Sequence, residues 1–252
     1  MAKLSDIVKY CEERLGMRGF VDFPGAQNGL QFENDGNVTK IACAVDATSK
    51  VFEIAAREKA DLLLVHHGMF WNPQVPVTGT IYRKFKTLFD ANIAVFSCHL
   101  PLDYHRELGH NVLLAKALGL KIIDWALPYE NHAFLAICDG NGISRSELKL
   151  RLHALFPQTF KAIDCGNEQL GHIAILCGSG NTAIPAMSAL GCDTLITGEV
   201  KHAAFADAQE HAFNIYPCGH YATESLGIKA LANEVAQQFD LPNIFIEENC
   251  VL

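Results

Sequence analysis

The chain lacks a basic excess: 20 Lys and Arg stand against 28 Asp and Glu in 252 residues, a formal net charge of −8 with a pI near 5.7. No local basic patch offsets this, so the phosphate backbone of a nucleic acid is repelled and a nucleic-acid partner is disfavoured. A long apolar run is also missing. Stretches such as "ANIAVFSC" fall far short of the roughly 20 residues that a membrane span needs. The opening "MAKLSDIVKYCEERLG" has helical spacing and no apolar signal-peptide core. The expectation is a soluble, cytoplasmic protein with no membrane partner. Nine cysteines are present, an odd number without a CxxC pair, which speaks against a disulfide framework and a thiolate zinc site alike. Cys43 and Cys138 lie inside apolar strand-like runs, where a thiol packs as a small hydrophobe. The GxSxG elbow and the GxGxxG and GxxxxGK[ST] loops are absent as well. "GSG" at 178–180 follows a strand and precedes a helical stretch, which leaves a phosphate cradle open as a weak reading.

Half of the residues are hydrophobic, enough for a large core in one big domain or two smaller ones. Short runs rich in Ile, Val and Leu alternate with amphipathic stretches, which predicts an α/β fold with largely parallel sheets. "KIACAVD" (40–46), "DLLLVHH" (61–67) and "IAVFSCH" (93–99) read as strands. "TSKVFEIAAREKA" (48–60), with Thr48 or Ser49 as its cap, and "IYRKFKTLFDAN" (81–92) read as the helices between them. The character changes after "GLKIIDWALPYEN", and a domain boundary is placed near residue 126, giving halves 1–125 and 126–252 with the C-terminal segment free to pack back on the first. Ser144 with Glu147 forms a capping-box pattern for the helix that follows.

The second half echoes the first. Ile41–Asp61 and Ile173–Asp193 share a strand, helix, strand pattern, which sets His66 and His67 opposite Gly198 and Glu199. "NIAVFSCHLPLD" aligns with "NIYPCGHYATE" across a one-residue gap, so that His99-x3-Asp103 faces His220-x3-Glu224. Duplication and shared α/β grammar both explain such a match.

Imidazoles and carboxylates together are the donor set of divalent transition metals, and here they fall at strand ends, where α/β sheets bind ligands. The candidates are His66, His67, His99, Asp103, His220 and Glu224. Adjacent strand residues point to opposite faces, so His66 and His67 fit a pair of ions better than one. His220 and Glu224 share a helix face one turn apart, and a carboxylate so placed can bridge two ions. Gly68 and Gly219 would let the backbone turn sharply beside these donors. Asp193 and Glu199 read as an orienting partner, a general base, or solvated loop acids. His105, His110, His132, His153, His172 and His211 read as structural, Trp71 and Phe70 as packing, and His202 stays open.

"LLLVHHGMFW", "SCHLPLD", "LITGEVKH" and "CGHYATE", in this order, with "NGLQ" at 28–31, resemble the Nif3-like family, often described as GTP cyclohydrolase 1 type 2 homologs, in its short bacterial form. The resemblance covers nearly the whole chain. It implies two similar α/β halves with layered, mixed sheets, a dinuclear metal site between them, and assembly into a toroidal homohexamer. By motif, the ligands of the two divalent ions (iron, zinc or manganese) would be His66, His67, Asp103, His220 and Glu224. His99 would then line the site, and His99 and Glu199 are the candidates for general acid or base. The implied activity is a metal-dependent hydrolysis, with opening of the guanine ring of GTP by water and release of formate as the leading reading. GTP or another nucleotide would be the small-molecule substrate. Phosphoester hydrolysis, and a metal-binding assembly or regulatory role without turnover, are the alternatives.

Overall fold

The computed structural model describes residues 1–71 and 75–251, which divide into two compact units. The first comprises Met1–His105 with Gly227–Asn249; the second comprises Arg106–Leu226 with Cys250 and Val251. Residue 126, where a boundary was expected, lies inside a strand of the second unit.

In chain order the first unit holds β1 (Ala2–Lys3), α1 (Leu4–Arg14), β2 (Gly29–Phe32), β3 (Asn37–Val38), β4 (Ile41–Asp46), α2 (Ser49–Arg57), β5 (Leu62–His67), α3 (Gly79–Ala91), β6 (Ala94–Ser97) and α4 (Leu100–Asp103). The second unit follows with α5 (His110–Ala117), β7 (Lys121–Tyr129), β8 (His132–Asp139), α6 (Arg145–Leu155), β9 (Ile163–Asp164), β10 (His172–Ser179), β11 (Cys192–Glu199), α7 (Ala203–His211) and β12 (Asn214–Pro217). Helix α8 (His220–Phe239) begins in the second unit and ends in the first, which β13 (Asn243–Phe245) completes.

The first unit's main sheet has the order β13-β4-β5-β6-β2, with β2 antiparallel and the other pairs parallel. Its central strands are apolar on both faces, as a sheet covered on both sides requires. Ala42, Ala44, Leu63, Val65 and Val95 pack on Val51, Phe52 and Ala55 of α2 and Leu88 of α3. Ile41, Cys43, Val45, Leu62, Leu64 and Phe96 are buried on the opposite face. The expected cap is present: Thr48 Oγ1 accepts the Val51 N–H at 3.2 Å.

The second unit's sheet has the order β7-β8-β10-β11-β12-β9, in which β10, β11 and β12 are parallel and the outer strands antiparallel. Ser144 caps α6 by accepting the Glu147 N–H at 3.1 Å. Seven of the nine cysteines are buried, Cys165 is half-buried and Cys250 exposed, and all nine are free. Burial pushes the Cys43 and Cys138 thiols up to about 12, as the small-hydrophobe reading requires.

The echo between the halves has a structural basis, with one correction. β4 and β5 pair Ile41 with Leu62, and β10 and β11 pair Ile173 with Thr194, the same step of 21 residues. The next strands match without the gap that the sequence alignment needed. Cys98 N–H donates to Val65 O and Cys218 N–H to Thr197 O; Ile93 N–H donates to Leu88 O and Phe213 N–H to Ala208 O. Asn92 and Ala212 both end their helices with left-handed backbone, φ 53° and 55°. By this register His99 corresponds to Gly219, so His99-x3-Asp103 and His220-x3-Glu224 are offset by one residue. The helix expected inside 173–193 is also missing: a single 3-10 turn, Ile184–Ala186, takes its place, consistent with Pro185 and the flanking glycines.

In α6, Leu152 is fully buried while Leu150, two residues earlier, is 74% exposed. Leu152→Ala should cost about 2–5 kcal/mol in chemical denaturation and Leu150→Ala at most about 0.5 kcal/mol. Equal losses would contradict the packing of this helix.

Candidate metal centre

The first unit gathers three histidines. One ring nitrogen from each of His66, His67 and His99 lies within 4.8 Å of the others. The ring centroids of His66 and His67 are 4.6 Å apart, so two residues assigned to opposite strand faces meet at one place. Both stand at the carboxyl end of β5, whose last residue is His67, where the alternation of a continuing strand is no longer imposed.

Each Nδ1 in this cluster is engaged. His66 Nδ1 lies 2.9 Å from the Cys98 carbonyl oxygen, His67 Nδ1 2.8 Å from Asp46 Oδ1, and His99 Nδ1 2.8 Å from Asp22 Oδ1. A carbonyl or ionised carboxylate only accepts, so Nδ1–H donates in all three pairs. Nε2 is thereby the nitrogen through which each ring could meet a metal ion or a proton. Asp103, one turn after His99, sets Oδ2 3.8 Å from His66 Nε2. The edge of Trp71 packs against the His99 ring at 4.7 Å.

Asp22 and Asp46 were not singled out by the sequence, although Asp46 ends a strand at the same sheet edge and so met the criterion applied to the histidines. Asp22 carries no such signal. Its side chain is 4% exposed and also accepts the Leu100 N–H at 3.0 Å and the Asn28 amide at 2.7 Å, while Asn28 Oδ1 accepts the His99 N–H at 2.7 Å. Burial acts to raise the Asp22 carboxyl, but the His99 bond and charge, with the Asn28 and Phe23 donors, outweigh it and hold it below the usual carboxylate range.

The second unit places His220, Glu224 and Glu199 together. His220 Nε2 is 3.1 Å from Glu224 Oε2, and His220 Nδ1 is 3.2 Å from Glu199 Oε1. The two "GSG" glycines make room for neighbouring side chains. A Cβ at Gly178 would collide with Glu224 Oε1 and lie 3.3 Å from His220 Nε2, and one at Gly180 would strike Thr197. A 3-10 turn follows in place of a helix, so the helix N-terminus on which a phosphate-cradle reading rests is missing among the described residues. Gly219 has φ +97°, as expected for a sharp turn, whereas Gly68 is needed for close approach: its Cβ would fall 2.6 Å from Ser97 Oγ. Asp193 braces a loop by accepting the Gly171 N–H and the Thr194 hydroxyl, both at 2.8 Å, and His202 is exposed at the start of α7.

These donors fit a divalent transition metal: imidazoles presented through Nε2, with carboxylates beside them. The fold and the donors thus define an α/β protein with His and carboxylate groups able to hold metal. The chain belongs to the Duf34/NIF3 (NGG1p interacting factor 3) family, whose model matches residues 2–250. It is similar to the GTP cyclohydrolase 1 type 2 homolog of Deinococcus radiodurans, 32% identical over 242 residues that cover 96% of this chain and 91% of the relative. The Escherichia coli homolog of the same description is 33% identical over 246 residues, 97% of this chain and 98% of the relative. Among solved structures, TTHA1606 from Thermus thermophilus superposes with a TM-score of 0.89 at 32% identity over the full length of both chains. The protein ybgI, described as of unknown function, gives 0.91 at 31%, again over both full lengths.

Without metal, burial favours neutral His220, but the bonds and charges of Glu224 and Glu199 outweigh it and raise its pKa to about 9. A folded-state pKa above the unfolded value near 6.5 stabilises the fold below pH 6.5, and this contribution is lost as pH rises through about 9. Metal-stripped wild type should therefore lose melting temperature across this window relative to His220→Asn. Parallel profiles for the two proteins would show that the His220 proton plays no such part.

Proposed function

We propose that the protein is a divalent-metal-dependent hydrolase acting on GTP or a related nucleotide. In the first unit His66, His67 and Asp103 would hold metal, and in the second His220 and Glu224, for two ions per chain. The observation that carries this reading is the histidine cluster at the end of β5, in which each ring has its Nδ1 engaged by a carbonyl or a carboxylate. The pairing of His220 with Glu224, one helical turn apart, supports it. These residues would hold divalent ions that, when bound, would polarise the group under attack and supply a nucleophilic water near neutral pH. His99 and Glu199 move the protons, with Nε2 of His99 as acceptor because its Nδ1–H is committed to Asp22. The nucleotide reading draws on the description of the relatives; guanine-ring opening with release of formate is the reaction it names. The protein works in the cytoplasm as a homohexamer. Among the described residues, no helix is long and apolar enough to cross a membrane.

Metal analysis of purified protein is the first check. Wild type and His153→Ala should hold equal metal, whereas His67→Ala and Glu224→Ala should each lose at least one ion per chain; equal metal in all four sinks the ligand assignment. Incubating metal-loaded protein with GTP is the second. Formate with a pterin product is the expected result, released phosphate would replace it with a phosphoesterase, and unchanged GTP would point to a metal-binding assembly or regulatory role. Light scattering should give the mass of six subunits, and a smaller mass would remove the hexamer.

A further inference from the structure

Resting on the reading that the first unit binds metal, we infer that Asp22 and Asp46 are positioning residues. They fix His99 and His67 as Nδ1–H tautomers, leaving Nε2 of His67 as its metal-binding nitrogen and Nε2 of His99 as its proton acceptor.

An imidazole offers two nitrogens and a free χ2 rotation, so a histidine near a metal is a poor ligand until one nitrogen is committed elsewhere. Ligating histidines commonly donate their other N–H to a carboxylate or a backbone carbonyl, which sets tautomer and ring plane and raises the donor strength of the ligating nitrogen. The first-unit cluster holds both kinds of support. The Cys98 carbonyl serves His66, Asp46 serves His67 and Asp22 serves His99.

Asp46 stands just before α2, but the cap of that helix is the Thr48 hydroxyl, which leaves the Asp46 carboxylate to His67. Asp22 serves the backbone and the ring of one turn at once. It takes the Leu100 N–H on Oδ2 and the His99 ring on Oδ1, while Asn28 secures the His99 N–H. The ring is therefore fixed in position as well as in tautomer. The edge of Trp71 and the ring of Phe23, with centroids 4.7 and 5.7 Å from that of His99, limit its rotation further. This makes the His99 ring part of the pre-formed histidine cluster and its geometry dependent on a loop far away in sequence.

The test measures zinc affinity by competition with a chelator, on the full-length protein, for wild type, Asp46→Asn, Asp46→Ala, Asp46→Glu and Asp22→Asn. Long-range 1H–15N spectra of the histidine rings are recorded on the same metal-stripped samples. Asp46→Asn and Asp46→Ala should bind zinc about 10–100-fold more weakly and lose the Nδ1–H pattern of one histidine, and Asp46→Glu should recover part of both. Asp22→Asn should shift the pattern of a second histidine. The Asp46 side chain is 40% exposed, so its variants keep the fold and decide the matter even if Asp22→Asn is unstable. Zinc affinity within twofold of wild type, with unchanged ring spectra, would overturn the inference. Wild type that takes up no zinc would instead overturn the metal reading beneath it.

Discussion

A hydrogen bond at Nδ1 of each imidazole is the constraint on which the rest of the first unit's chemistry depends. Three histidine rings crowded within 5.6 Å, centroid to centroid, would otherwise turn to solvent or to one another. The parallel sheet brings them there, because β4, β5 and β6 all end at one edge and deliver Asp46, His66, His67 and His99 together. The burial of both sheet faces serves the same end. Strands fixed by the cores around Phe52 and Leu63 cannot slip in register, since a slip of one residue would exchange those faces and carry the histidines with them.

Much of this was legible. The apolar runs located β4, β5 and β6 to within a residue or two, because a strand buried on both faces can be written in few residue types. Thr48 and Ser144 were legible as caps because an N-cap acts over three residues of local sequence. Residue type at the strand ends supplied the six candidate donors, and the resemblance to the family separated His99 from the other five. What was not legible depends on contacts between distant segments. Asp22 lies in a loop with neither periodicity nor motif, and only the fold shows that it meets His99. The meeting of His66 and His67 was hidden by the alternation rule, which describes the middle of a strand better than its last residue. The glycines of "GSG" had a reason that sequence cannot show, the carboxylate of Glu224 and the hydroxyl of Thr197 standing where their side chains would be.

The two units share a plan and differ where chemistry is placed. Register pairs His66 with Gly198 and His67 with Glu199. A side chain at Gly198 would strike the backbone at His220, so the start of α8 fills in the second unit the space that an imidazole fills in the first. One unit draws its histidines from the ends of strands, the other from the start of a helix. α4 and α8 start at corresponding residues, Leu100 and His220, so the one-residue offset sets His99 just before its helix and His220 as the first residue of its own.

The bond between Asp22 and His99 spans 77 residues of sequence, whereas that between Asp46 and His67 spans 21. Chain entropy opposes the longer closure by about 1 kcal/mol more than the shorter one. The support for His67 is thus local to one strand, helix, strand unit and can form as soon as that unit does. The support for His99 must wait until the loop carrying Asp22 and Asn28 has docked on the turn after β6. The His99 ring is therefore held by a longer closure than the His67 ring, one that the pairing of β2 with β6 brings together.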